Sequence, residues 1–207
     1  GYTLDVTRGD EVWNSSQVWY MPFDDMDDPV TDEISMWPWR EAYYTINVCN
    51  FILSRTTGDD ASLSESMKRI KGQALFLRGY SYYTLAGYYQ NPALITDYAN
   101  YSSLDGLYGK NSTYDDVLDQ VEKDFSEAMT LLPSRDAGGE WAKGRATCGA
   151  AAGYYARTLM QRHKYNEALT VLKDIMNKKY GSYKLMANYG DNFREGSAYE
   201  NNDESLF

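Results

Sequence analysis

Between Gly72 and Leu85 the chain reads Gly-Gln-Ala-Leu-Phe-Leu-Arg-Gly-Tyr-Ser-Tyr-Tyr-Thr-Leu. A helix of this composition is apolar on two sides and carries one arginine among its hydrophobic residues. Met67, Ile70, Ala74, Leu77, Ser81, Leu85 and Tyr88 recur at helical spacing, and Phe76, Tyr80 and Tyr83 form a second stripe beside them. Two apolar stripes predict neighbours on both sides, so the helix belongs in an interior. Arg78 must then find acceptors or be exposed at real cost, and a structural pair with a carboxylate or helix-end carbonyls is favoured over contact with a ligand.

The flanking segments supply the neighbours. Residues 39–55 read as a helix with Tyr43, Ile46, Cys49, Asn50 and Leu53 on one side. Ser62-Leu63-Ser64-Glu65 fits a capping box for the long helix, which Asn91-Pro92 stops near Gln90. Ser112 is the expected cap of a helix carrying Leu118, Val121, Phe125, Ala128 and Leu132, with Pro133 just beyond it. Residues 145–162 and 165–178 form an antiparallel pair, and Gly149 to Gly153 would let backbones approach closely. Tyr165-Asn166-Glu167-Ala168-Leu169 is similar to the second helix of a tetratricopeptide unit, with Ala156 facing it, although no clean period repeats. The expected fold is therefore mainly α, one domain of tetratricopeptide-like helical hairpins with long, irregular, aromatic-rich loops. An irregular aromatic and acidic segment spans 1–37, the helical scaffold 38–178, and an irregular cover 179–207. The stretch 92–111 is long for a connection and reads as a candidate rim of a ligand site.

Composition excludes several functions. A net charge of -10 with no Lys/Arg cluster argues against nucleic-acid phosphates as partners. Cys49 and Cys148 sit among apolar neighbours and read as buried thiols, not as a disulfide or a zinc site. The single histidine, His163, lies in a polar turn without a nucleophile motif. Gly138-Gly139 lacks the strand and helix of a nucleotide-binding loop, and no cofactor is indicated. Asp24, Asp25, Asp27, Asp28, Asp32 and Glu33 gather many oxygens without the ligand alternation of a calcium loop, so no metal is assigned. Abundant carboxylates supply accidental pairs and are no evidence for glycoside hydrolysis, and no catalytic residue is assigned. No apolar run reaches the length of a membrane span.

The Gly72 to Leu85 string resembles a signature of the SusD/RagB family of Bacteroidetes outer-membrane, glycan-binding lipoproteins, Gly-Glu/Gln-Ala-x-Phe-Leu-Arg-Ala-x-x-Tyr. Four further segments follow the family's order: Trp39 to Asn50 with Tyr43, Ile46 and Asn47; Asp124 to Pro133; Gly144-Arg145-Ala146-Thr147; and Asn188 to Phe207. Gly79 departs from the usual alanine, at about 0.5–1 kcal/mol of helix propensity, and Gln90-Asn91-Pro92 departs at the end of the long helix. The resemblance implies a cell-surface protein that captures glycan and delivers it to a SusC-type TonB-dependent transporter for polysaccharide utilisation. It further implies a lipid anchor upstream of this chain and a C-terminal portion beyond it.

The family's ligand contacts do not transfer by motif, so candidates come from the residues themselves. A ring on an irregular segment can present its face to a pyranose while amides and carboxylates bind the hydroxyls. Trp13, Trp19, Tyr20, Trp37 and Trp39 meet that description. Arg145 is expected to be structurally paired, like Arg78. The rival readings are a tetratricopeptide-like protein-docking scaffold without its own sugar site, and a glycoside hydrolase.

Overall fold

The computed structural model describes residues 33–141, 144–196 and 199–206. Among them are six α-helices, several single 3-10 turns and no strand: α1 (Glu33–Arg55), α2 (Glu65–Tyr89), the short α3 (Leu104–Leu107), α4 (Tyr114–Leu131), α5 (Cys148–Gln161) and α6 (Tyr165–Met176). The mainly α fold read from the periodicity is the one observed. The chain divides into two compact units, Gly1–Tyr44 and Thr45–Phe207.

The described part of the first unit is the first half of α1. This helix starts at Glu33, ahead of the expected residue 39, and carries Pro38 inside it. Proline costs a helix one N–H bond and crowds the preceding turn, which is why the sequence reads as a break there. The rest of α1 lies in the second unit and buries Ile46, Cys49 and Asn50.

In the second unit α2 packs on α4, α4 on α5, and α5 on α6. The cap of α2 is Ser64, whose hydroxyl accepts from the Met67 amide. The expected Ser62–Glu65 box does not form: Ser62 closes a 3-10 turn capped by Asp59, and Glu65 takes the Lys68 ammonium instead. Thr113, not Ser112, caps α4 in a reciprocal box with Asp116. Ser112 instead accepts from the Leu94 amide, tying the preceding loop down.

The buried arc of α2 runs through Ala74, Leu75, Phe76, Arg78, Ser81, Tyr82 and Leu85, while Ile70, Leu77, Tyr80 and Tyr88 are partly exposed. The two predicted stripes thus merge into one broad face plus a half-wet margin. Two glycines set the α2–α4 distance. A Cβ at Gly72 would lie 2.9 Å from the Leu132 side chain, and one at Gly79 would lie 3.1 Å from the Asp124 Cβ. The departure from alanine at Gly79 therefore has a packing reason beyond helix propensity.

The α5–α6 pair closes through a turn at His163, whose φ is 60°. Its core is Ala152, Ala156, Leu159, Ala168 and Val171. His163 is exposed and faces the Tyr165 hydroxyl at 2.7 Å. The small residues of α5 also receive the irregular cover: a Cβ on Gly149 would collide with the Tyr183 ring, and one on Gly153 would lie 3.2 Å from Leu206. Both cysteines are free and buried, and burial pushes the Cys49 thiol up to about 12. No described helix is long and apolar enough to cross a membrane.

Candidate functional site

The interior is organised around Arg78, which finds its acceptors as its position demanded. Its Nε and one terminal nitrogen donate to the two Asp124 oxygens at 2.8 and 2.6 Å, and the other terminal nitrogen donates to Asn50 Oδ1 at 2.8 Å. Gln120 also donates to Asp124, at 2.8 Å. Burial works against both charges, yet the fork with Asp124 holds the Arg78 pKa above its ordinary value. Asn50 passes the network on, donating to the Ile95 carbonyl at 2.7 Å. Tyr82 completes it: its hydroxyl donates to the Ile95 carbonyl at 2.8 Å and accepts from the Ile95 amide at 2.7 Å.

This polar core anchors the start of the 92–111 stretch on α1, α2 and α4. Tyr82→Phe would orphan the buried Ile95 amide, and we expect it to cost about 1–3 kcal/mol in chemical denaturation, with faster amide exchange at residues 93–97. Unchanged exchange there would show that the hydroxyl does not hold the loop. Outside this anchor the stretch carries Tyr98 and Tyr101, whose ring centroids are 5.8 Å apart, and Tyr98 lies edge-on to Phe51 at 5.2 Å. Tyr108 is almost fully exposed.

A cleft of about 260 Å³ lies in the second unit where the Gly144–Thr147 segment meets the cover. Its local structure follows from the sequence. Gly144 turns the chain with φ +80°, Ala146 is buried, and the Thr147 hydroxyl caps α5 by accepting from the Ala150 amide. Gln73 of α2 donates to the Ala146 carbonyl at 2.5 Å, so two of the recurrent sequence segments meet directly. Arg145 lies half-exposed on the cleft wall and binds Glu140 through Nε at 3.0 Å, a paired arginine, but not a buried one. Across the cleft, Arg135 donates to the backbone carbonyls of Asn202 and Ser205 at 3.0 and 3.2 Å, and its guanidinium lies 5.2 Å from the Tyr183 ring centre. Tyr183 approaches Thr147 at 3.3 Å, and burial raises its hydroxyl pKa. The sequence reading expected a pair for Arg145 but began its helix at 145, whereas α5 starts at Cys148 behind the Thr147 cap, and it had no signal for Tyr183 of the cover converging on Arg135 and Trp141.

The five aromatic candidates fare differently. Trp13, Trp19 and Tyr20 lie outside the described residues. Trp37 and Trp39 lie on α1, not on an irregular segment, which corrects the premise on which they were chosen: the helix runs through Pro38. Trp37 is 60% exposed. Trp39 is half-buried, with its ring centroid 4.9 Å from that of Tyr43. Among the described residues no cluster of His, Cys, Asp and Glu is arranged to hold a metal.

A family model for SusD-like proteins, described as starch-binding and associating with the outer membrane, matches residues 2–160. Among solved structures, a SusD superfamily protein from Bacteroides vulgatus is 24% identical at TM-score 0.86, covering 100% of this chain and 43% of its own. A SusD-like carbohydrate binding protein from Bacteroides fragilis is 25% identical at TM-score 0.70, with 90% of this chain and 34% of its own covered. Surface glycan-binding protein A from Bacteroides uniformis is 19% identical at TM-score 0.81, covering 100% and 46%. The chain thus spans less than half the length of each of these structures. No curated protein matches it.

Proposed function

The chain belongs to the SusD-like family, and from that premise we propose that it captures oligo- or polysaccharide at the outer-membrane surface and hands it to a SusC-type TonB-dependent transporter. The reading includes a surface lipoprotein held by an anchor upstream of this chain. The single observation that carries it is the family match across residues 2–160, supported by the carbohydrate-binding description of the Bacteroides fragilis relative. The mechanism is binding without bond-making. Rings contact apolar sugar faces, polar groups orient the hydroxyls, and modest affinity allows release to the partner.

Trp37 is the described candidate best exposed for such contact, and Trp39, two residues on, faces another side of the same helix. The test is a titration of host and plant glycans into this chain and into its full-length parent, followed by intrinsic tryptophan fluorescence. Saturable change is expected, and Trp37→Ala should weaken it by roughly 2- to 10-fold, the worth of one ring contact. Absence of any response in both proteins would defeat the reading, and release of reducing ends would favour the hydrolase.

One observation favours a second reading, the protein-docking scaffold. Tyr165, Leu169, Leu172 and Met176 form an exposed stripe along α6 at helical spacing, as on a helix that receives a neighbour. That reading expects no fluorescence response to any sugar.

A further inference from the structure

We propose that the cleft between the Gly144–Thr147 segment and the cover is a site for an acidic saccharide, one bearing a carboxylate or sulfate, with Arg145 as the group that binds its oxyanion. This rests on the glycan-binding reading and adds a place and a charge preference to it.

Arginines gather at the cleft of an acidic chain, and the carboxylates near them are Glu140, bonded to Arg145, Asp136, which accepts from the Ser182 amide, and Asp203, which pairs with Lys184. With a net charge of -10, the protein nevertheless places Arg135 and Arg145 on the cleft wall and Arg69 behind it, over the Trp141 ring. Among the described residues, Glu140 is the one carboxylate bonded to any of the three. Arg135 donates to backbone carbonyls and bonds no carboxylate, although the Asp203 carboxylate is close enough to feel its charge. Arg145 spends Nε on Glu140, and its terminal nitrogens, which form the fork suited to an oxyanion, remain available. The start of α5, capped at Thr147 on the cleft wall, adds the positive end of a helix.

The rings argue in the same direction. Guanidinium groups of Arg69 and Arg145 already lie 5.8 Å from the Trp141 ring centre, and that of Arg135 lies over Tyr183. A pyranose cannot stack where a cation sits, so recognition must come from charge and hydrogen bonds, for which Ser205 supplies a hydroxyl, that of Thr147 being taken by the Ala150 amide. A volume of about 260 Å³ lies just below the ~300 Å³ lower end for small-molecule pockets. It accommodates one sugar residue of a longer chain.

The test is calorimetric titration of the 207-residue chain with a galacturonate trimer, its fully methyl-esterified form, and inorganic sulfate. The acid form is expected to bind saturably, about tenfold tighter than the ester, and more weakly as salt rises. Arg145→Gln should remove about that tenfold, and Arg69→Gln should weaken binding less. Both residues are exposed, so melting temperatures should stay within a degree or two of the parent. Equal binding of acid and ester, no binding of either, or indifference to Arg145→Gln would overturn the proposal. Sulfate as tight as the trimer would overturn the saccharide assignment and leave a free-anion site. A neutral glycan response that depends on Trp37 but not on Arg145 would defeat this inference while the broader glycan reading survives.

Discussion

Asp124→Ala should destabilise the protein by about 3–5 kcal/mol, the usual result of removing one partner of a buried ion pair. Asp124 has no exposed surface and Arg78 almost none, so the guanidinium would be left facing Asn50 and a backbone carbonyl alone. The measurement is urea denaturation followed by far-ultraviolet circular dichroism. The double replacement Arg78→Met with Asp124→Leu should recover much of the loss, because similar-sized apolar pairs often match a buried salt bridge that has paid for its own desolvation. A loss below about 1 kcal/mol for the single change would place it in the range of exposed ion pairs and contradict the burial. The network also fixes where α1, α2 and α4 meet, so the single variant should loosen the 92–111 stretch as well.

Phe76→Ala is expected to cost a similar ~3–5 kcal/mol, here by leaving a cavity. Phe76 is fully buried, with ring centroids 5.7 Å from Phe125 and 5.8 Å from Tyr154. Tyr154 in turn stacks on Phe125 at 5.5 Å, so the three rings join α2, α4 and α5 at one point. The same denaturation experiment reads it. A loss near 1 kcal/mol would mean that the surrounding rings collapse into the space. Asp124 and Phe125 are adjacent and both touch the Gly79 position, so the Asp124 and Phe76 variants combined should deviate from additivity.

Much of the architecture was readable in advance, and for identifiable reasons. The i, i+3, i+4 recurrence in α2 and α4 reflects burial of one face, a property each segment expresses locally. The pairing of Arg78 was the favoured expectation because a charge in such a run is costly when left unpaired. Cap positions were missed by one or two residues at Ser62 and Ser112, since several hydroxyls compete and the tertiary partner decides: Leu94 claims Ser112. The start of α1 was missed because Pro38 argues locally against a helix that nevertheless runs through it. The same error made Trp37 and Trp39 look like loop aromatics.

What the amino-acid sequence determined by itself, then, is the helical class, the order of the helices, the family, and the need for an acceptor at Arg78. The helical class, the order of the helices and the Arg78 acceptor depend on periodicity and on single-residue energetics, which require only neighbours in the chain, and the family depends on the resemblance of five motifs in order. The tertiary structure alone decided that Asp124 and Asn50 are the acceptors, and that Gly149 and Gly153 receive Tyr183 and Leu206 of the cover. It also decided that Trp141, Arg135, Arg145 and Tyr183 meet around one cleft. Those contacts join different elements, helix to helix around Arg78 and the 135–147 connection to the cover around the cleft, and no period within one segment specifies which residue of another it will meet.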